Sequence, residues 1–231
     1  MIAAKIDTHL GALESLLSRL STAVSTNPND VDANDALLRR SKSGLPSFIA
    51  NIILLSLDGK NIGNAVGNHA SAGDRDYFQR VLAGEPFVVG KPIRSRSDLG
   101  WVCPVASPIK NSSGELQAVL VIATFLERFG EVLGVNELPP GSVVSITDGK
   151  GIAIASIPNA PELIGRDLNG LGNVNRHLRL KEGSEFVTWF DQVTRITGFS
   201  TTHRAPWLVT VGLPAEIGSA GIATRFKWSG L

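Results

Sequence analysis

The chain has 231 residues, of which 43 % are hydrophobic and 19 % are charged, so it can bury a core and is neither disordered nor fibrous. With 22 basic and 21 acidic residues its formal charge is +1, which removes the usual electrostatic reason to expect a nucleic-acid binder. The single cysteine, Cys103, excludes an intramolecular disulfide and a multi-cysteine zinc site. No apolar run approaches the roughly 18 residues that a membrane span needs.

A long helix is predicted from residue 2 to about residue 26, because this segment has no proline and only one glycine. Its apolar residues alternate steps of four and three, the period of a coiled-coil seam; they are Ile6, Leu10, Leu13, Leu17, Leu20 and Val24. The sequence Asn27-Pro28 favours an end of the helix. This stripe can pack on the body of its own fold or against a second copy of the chain. Both are possible if one side of the helix packs on the fold and another side contacts the second copy.

Two parts of the chain resemble one another, which predicts an internal duplication. Residues 55–60 and 144–150 are both β-rich runs that stop at Asp-Gly, a strong turn signal. Residues 120–125 and 208–213 are both β-rich runs that break into a polar helical start. We therefore predict two similar subdomains, 35–137 and 138–216, joined near Leu138-Pro139-Pro140-Gly141. Residues 1–34 form the helix and its connector, and residues 217–231 form a C-terminal segment.

The predicted elements favour an α+β fold, with an antiparallel sheet and flanking helices in each subdomain. In the first subdomain the strands are 48–57, 101–108 and 116–125, and 76–82 is a short helix. The last two strands are separated by the hairpin signal Asn111-Ser112-Ser113-Gly114. In the second subdomain the strands are 142–146, 151–156, 185–190, 196–202 and 207–213. This order leaves little room for parallel crossovers, so a Rossmann-type sheet is not expected.

The sequence contains no complete match to a known catalytic motif, so we expect neither an enzyme active site nor a cofactor. The nearest phosphate-loop match runs from Gly84 to Gly90-Lys91, but it has five residues between the glycines where four are needed. The four histidines, His9, His69, His177 and His203, are dispersed, and each is expected at the surface or at a helix cap rather than on a metal. Cys103 is expected to be an inert buried thiol.

One stretch of the first subdomain is chemically dense, and it supplies the candidate ligand-binding residues. Arg75 offers a planar set of donors suited to a carboxylate, and Tyr77 combines an apolar wall with a polar tip. The other candidates are His69, Lys91, Arg94 and Trp101. Lys91, Arg94 and Arg96 fall within six positions with no acid among them. Structural roles are expected instead for Phe78, Arg96 and Asp76, which are a core aromatic and paired or solvated charges.

Three short elements carry a family resemblance. They are Asp74-Arg75-Asp76-Tyr77-Phe78, Gly90-Lys91-Pro92-Ile93, and Ala106-Ser107-Pro108-Ile109 with the Gly114 hairpin. Together they resemble the double Cache family of tandem PAS-like (PDC) sensor domains, which lie outside the membrane in bacterial receptors. The resemblance covers nearly the whole chain. It implies a membrane-distal ligand-binding subdomain, a membrane-proximal subdomain, and a parent histidine kinase, chemoreceptor or diguanylate cyclase.

The amine-binding branch of this family has an R-x-W-Y element, and Arg75-Asp76-Tyr77-Phe78 is its counterpart with both aromatics changed. That branch also carries an aspartate late in the first subdomain, at a position that we place on Ala123. A buried ammonium without a counter-charge costs several kcal/mol. The resemblance therefore favours a small carboxylate over an amino acid.

The expected function is an extracytoplasmic, periplasmic sensor region that relays ligand occupancy across the membrane. Its parent is expected to be a sensor histidine kinase, with a chemoreceptor or a cyclase as alternatives. In that interpretation residues 217–228 lead to a membrane span, and homodimerisation occurs through the N-terminal helix. A free-standing soluble binding domain is the competing hypothesis.

Overall fold

A computed structural model of the chain describes residues 2–133, 138–158, 160–171 and 173–216. It divides into two compact units, one formed by residues 8–132 and the other by the described parts of residues 1–7 and 133–231. The predicted segment 217–228 lies outside the described residues. Of the helices in the described ranges, none combines the length and apolar character that a membrane crossing requires.

Two helices open the chain, α1 (Ile2–Ser21) and α2 (Val31–Ser43). The predicted seam of α1 is buried from Ile6 to Leu20, so the chain itself covers that stripe. Helix α2 was not predicted from the sequence. Its buried Asn34 holds the preceding loop by accepting the amide of Ser25 at 2.9 Å and donating to its carbonyl at 2.9 Å.

The first unit, residues 8–132, contains a six-stranded antiparallel sheet with the order β2-β1-β6-β5-β3, and β4 also pairs with β5. The strands are β1 (Ile49–Ser56), β2 (Asn61–Asn64), β3 (Val88–Val89), β4 (Ile93–Arg94), β5 (Trp101–Lys110) and β6 (Leu116–Phe125). Helix α3 (Asp76–Leu82) packs its buried Tyr77, Phe78 and Val81 on this sheet. A 3-10 turn (Leu126–Arg128) leads into α4 (Phe129–Leu133).

The second unit contains a five-stranded antiparallel sheet with the order β8-β7-β11-β10-β9. The strands are β7 (Val143–Thr147), β8 (Ala153–Ile157), β9 (Glu182–Thr188), β10 (Thr194–Thr201) and β11 (Leu208–Pro214). A 3-10 turn (Pro161–Leu163) and helix α5 (Val174–Leu180) lie between β8 and β9. In both sheets the opening strand lies between the second strand and the closing strand, so the duplication is visible in the topology.

The α+β fold class is confirmed, and the long strands match their predicted bounds within about three residues. The short strands β2, β3 and β4 and the helices α2 and α5 were not predicted, whereas the helical start expected after residue 125 corresponds to the 3-10 turn and α4. The expectation for the histidines is wrong for His177, which is 2 % exposed and stacks on Phe199 with ring centroids 3.8 Å apart. His9 contacts the aromatic rings of Phe48 and Phe129 and is also partly buried.

Candidate ligand-binding site

The candidate site is a pocket on one face of the first sheet, with about 500 Å³ of empty space counted with its open mouth. Its floor follows from the strand register, because residues directly opposite one another in a ladder share a face. Asn51 of β1 lies opposite Ala123 of β6, and Ala123 lies opposite Pro104 of β5. All three line the pocket. Ala123 is thus a floor residue, and the floor carries no acid at this point.

One wall of the pocket is formed by asparagine amides at the β1–β2 edge. Asn51 donates from Nδ2 to Oδ1 of Asn64 at 3.0 Å, and both side chains are buried. The same Asn64 oxygen accepts the amide of Val66 at 2.9 Å. Asn61 and Asn64 both donate to the carbonyl of Asn68. These contacts fix the amide orientations, so the wall presents a preorganised polar surface to a bound molecule.

Arg75 and Tyr77 approach the pocket from the start of α3. Arg75 is half-buried and donates from Nη2 to the carbonyl of Arg94 at 3.1 Å, which orients its guanidinium. Among the described residues the Arg75 guanidinium makes this one hydrogen bond and no ion pair, so donor groups remain for a ligand. Tyr77 is 4 % exposed, and its hydroxyl has no partner among the described residues. Burial raises the pKa of Tyr77 to about 12, so the hydroxyl is a neutral donor.

A second cation at the pocket is already paired. Arg96 donates two hydrogen bonds to Asp74, at 2.8 and 2.6 Å, and a third to the carbonyl of Ser71. The hydrogen bond from Arg96 lowers the pKa of Asp74 to about 2, which keeps that carboxylate ionised at neutral pH. The pair ties the loop before α3 to the loop after β4. Arg96 therefore contributes wall area with its charge paired, whereas Arg75 interacts with Asp74 only through space and makes no ion pair among the described residues.

Of the six candidate residues, the structure brings Arg75 and Tyr77 to the pocket and places the other four outside its lining. His69 is held by Asp35 at 2.9 Å and by the Asn61 carbonyl at 3.3 Å.

The remaining three also have local partners. The Lys91 ammonium lies 4.0 Å from Asp76. The Arg94 guanidinium stacks over the Trp101 ring, 4.8 Å from its centroid. Whether any of the six binds a ligand stays a prediction.

Sequence reasoning missed several pocket residues. Arg96 lines the pocket although a purely structural role was expected for it, and neither the asparagine wall nor the floor residues other than Ala123 were identified. The floor could not be found from local motifs, since its residues come from strands that are distant in the chain. Phe78 is buried beneath the site and Asp76 faces solvent, as expected. Burial raises the pKa of the Cys103 thiol to about 12, as expected for an inert buried cysteine.

Comparisons with known proteins place the chain in a family. The sequence model of the Cache domain family matches residues 1–222. The chain therefore belongs to the Cache domain family, and the predicted resemblance is confirmed. A search of curated proteins gave no match.

Solved structures share the fold at low sequence identity. The extracellular domain of the candidate histidine kinase rpHK1S-Z16 superposes with a TM-score of 0.74 at 22 % identity, over 95 % of this chain and 90 % of that chain. The ligand-binding domain of the Pseudomonas aeruginosa PAO1 amino acid chemoreceptor PctB, in complex with L-Arg, gives 0.73 at 14 % identity over 95 % and 93 %. The sensor domain of the Vibrio cholerae histidine kinase DctB gives 0.58 at 15 % identity over 81 % and 80 %.

Proposed function

We propose that the chain is the extracytoplasmic ligand-sensing region of a bacterial transmembrane signalling protein, and that its first unit binds a small organic carboxylate. The observation that carries the proposal is the pairing of Arg75 with Tyr77 in a pocket whose described lining contains no Asp or Glu. A guanidinium with donors to spare binds a carboxylate through two parallel hydrogen bonds. The neutral Tyr77 hydroxyl adds a third donor, and the asparagine amides can accept from a ligand hydroxyl.

The same lining disfavours a zwitterionic amino acid. Its carboxylate would suit Arg75, but its ammonium would need an acidic partner within the pocket to offset the cost of desolvation. Asp74 accepts hydrogen bonds from Nη1 and Nη2 of Arg96 and is not among the lining residues. The PctB domain is described in complex with L-Arg. Amino acids are therefore the ligand class against which the proposal has to be tested.

The proposed mechanism links occupancy of the first unit to signalling by the parent protein. A ligand shifts such an equilibrium only through different affinities for its two states. Histidine kinases and chemoreceptors both occur among the similar folds, and we favour a sensor histidine kinase, with the periplasm as the location. We also propose a homodimer through α1. The seam from Ile6 to Leu20 is already buried, so the contact would use the exposed face that carries Thr8 and Ala12.

Calorimetric titration of the chain with succinate, malate and citrate, and separately with asparagine and arginine, tests the ligand class. We expect saturable binding of at least one of the three acids and none of the amino acids. Arg75→Met should weaken carboxylate binding about tenfold or more, because hydrogen bonds to charged groups contribute about 1.5–3 kcal/mol.

Arg94→Met is the matched control. It removes a nearby cation of the same type but keeps the Arg94 carbonyl that orients Arg75. The affinity of the Arg94→Met variant for the carboxylate should stay within about twofold of that of the parent, since an exposed charge outside the pocket contributes little to binding. Binding of amino acids alone, or an equal loss in both variants, would overturn the proposal.

A further inference from the structure

The second unit contains a pocket that the proposed function does not use. It lies between helix α5, the loop before α5, and one face of the sheet at β7 and β11, with about 580 Å³ of empty space counted with its open mouth. Its apolar walls include Leu168, Val187 and Trp189, which are buried, and its mouth carries the exposed Leu171 and Phe190.

Part of the sheet face beneath this pocket is hydroxylic, next to the apolar Leu208 and Phe199 on the same face. Ser156 of β8 lies opposite Ser145 of β7, and Ser145 lies opposite Thr210 of β11. Thr147 follows on β7 and also lines the pocket. Directly opposite residues share a face, so three adjacent strands present a continuous row of hydroxyls. The inner face of a sheet that serves packing alone is normally apolar, so this row calls for a polar occupant.

Two buried polar atoms of the pocket residues have no partner among the described residues. They are Oγ1 of Thr147 and Nδ1 of His177, and both residues are 2 % exposed. A buried polar atom without a hydrogen bond costs about 1–3 kcal/mol. Such atoms are uncommon in folded proteins, and where they occur they indicate a functional role or a bound molecule that supplies the missing partner.

The state of His177 defines what its free nitrogen can do. Nε2 lies 2.7 Å from Oε1 of Glu185, so it donates to that carboxylate. Burial, which outweighs the opposing effect of Glu185, lowers the pKa of His177, so the ring is neutral at pH 7. Nδ1 then carries a lone pair and accepts a hydrogen bond.

The charge of Glu185 is balanced by Arg176, which does not line the pocket, and Glu185 also accepts a hydrogen bond from the lining residue Asn173. Arg176 lies 3.1 Å from Oε2, and Asn173 donates to Oε1 at 2.8 Å. None of the described residues that line the pocket is Asp, Glu, Lys or Arg. In the first unit, by contrast, Arg75 and Arg96 line the pocket. A charged molecule would therefore lose its hydration in the second pocket without gaining a counter-charge.

We propose that this pocket is a second ligand site, which binds a small uncharged molecule with an apolar body and at least one hydrogen-bond donor. The donor meets His177 Nδ1, a hydroxyl or acceptor group meets Thr147, and the body packs against Trp189 and Leu168. The proposal is independent of what the first unit binds.

The test uses fluorine NMR of the chain labelled with 5-fluorotryptophan. The chain has four tryptophans, and Trp189→Phe assigns the resonance that reports on this pocket. Benzyl alcohol, phenol and indole are the neutral probes, and benzoate and benzylammonium are their charged counterparts. We expect a saturable shift of the Trp189 resonance below about 10 mM with at least one neutral probe, and an affinity at least about tenfold weaker for the charged ones.

Thr147→Val is the isosteric variant, and it should have two effects. It should lower the affinity for the neutral probe about three- to tenfold, because one hydrogen bond is lost. It should also raise the melting temperature of the free chain, because an unpartnered buried hydroxyl is removed. Thr210→Leu, which narrows the pocket, should abolish the shift. Arg75→Met, in the other pocket, should leave the Trp189 response unchanged.

Absence of a saturable Trp189 shift with all three neutral probes would overturn the proposal. So would a shift that persists in Thr210→Leu, or one that benzoate reproduces with equal affinity. Thr147→Val keeps the proposal falsifiable if the narrowed variant fails to fold. A rise in melting temperature with unchanged probe affinity would show that the Thr147 hydroxyl destabilises the free chain without contacting the probe, and would contradict its role in binding.

Discussion

At the scale of single residues, the proposed preference for a carboxylate can be tested at the floor position Ala123. This residue is 6 % exposed and lies between Asn51 and Pro104 on adjacent strands. An acid there would supply the counter-charge that an ammonium needs and would repel a carboxylate held by Arg75.

We therefore predict that Ala123→Asp weakens binding of the best carboxylate about tenfold or more relative to Ala123→Asn. The two variants have the same shape and differ only in charge, so the comparison separates electrostatics from steric fit. Calorimetry and thermal melting on both variants measure it. Equal carboxylate affinities of the Ala123→Asp and Ala123→Asn variants would show that charge at the floor does not select the ligand.

The candidate residues show what local sequence can predict about a site and what it cannot. Arg75 and Tyr77 were found because they sit together in one short motif. Arg94 and Trp101 form a directly opposite pair of β4 and β5, next to Ile93 and Val102, which line the pocket. Since successive side chains in a strand point to opposite faces, this pair is directed away from the site. That outcome depends on strand register, which the spacing of basic residues does not reveal.

At the scale of elements, the two sheets share a strand order, but the residues that correspond between them differ from the predicted alignment. The Asp-Gly signals align Gly59 with Gly149. In the structure, the amide of Ser56 pairs with the Lys60 carbonyl, and that of Asp148 pairs with the Ile152 carbonyl. The residues with positive φ in these turns are Gly59, at 78°, and Gly151, at 79°. Gly59 thus corresponds to Gly151 and not to Gly149, two residues away from the alignment that the Asp-Gly pairs predicted. The positions that correspond are those with the same turn geometry, whatever residues occupy them.

Helix α1 shows the same limit of pattern reasoning. The four-three spacing predicted a stripe, and the stripe exists, but a stripe alone does not say whether the chain or a second copy covers it. Helix α2 and the strands β3 and β4 were missed because they are short or lack a sustained apolar period. The longer strands were predicted well because each is a long run of β-branched and aliphatic residues between turn signals.

We predict that Leu13→Glu destabilises the chain strongly, by about 3 kcal/mol or more, because it buries an unpaired charge. Ala12→Glu is the control on the exposed side of the same helix, and its melting temperature should fall much less than that of Leu13→Glu. Circular dichroism melts measure stability, and light scattering measures mass. If α1 forms the proposed homodimer through its exposed face, Ala12→Glu should lower the mass. A fully stable Leu13→Glu variant would contradict the buried seam.

At the scale of the whole molecule, part of the loss of stability in acid should come from His9, besides the contribution of the buried His177. His9 of α1 lies edge-on to Phe48 and Phe129, with ring centroids 5.0 and 6.2 Å away. Its Nε2 is buried and has no partner among the described residues. Burial lowers the pKa of His9 to about 4. The neutral ring is therefore the form that the folded chain accommodates.

The sign of the pH effect follows from proton binding. Between an ordinary histidine pKa of about 6.5 and the folded value of about 4, the unfolded chain binds a proton that the folded chain does not. The free energy of unfolding must then fall as the pH falls through this window. Discounted for partial exposure, the contribution of His9 is about 2 kcal/mol.

We predict that His9→Phe removes this part of the acid sensitivity while it keeps an aromatic ring between Phe48 and Phe129. Urea unfolding of the parent and the variant at about pH 7 and about pH 4.5 gives the difference, and carboxylates common to both chains cancel. His203→Asn, at an exposed histidine, is the control and should lose as much stability in acid as the parent. If His9→Phe loses as much stability between the two pH values as the parent does, His9 is not the group that limits stability in acid.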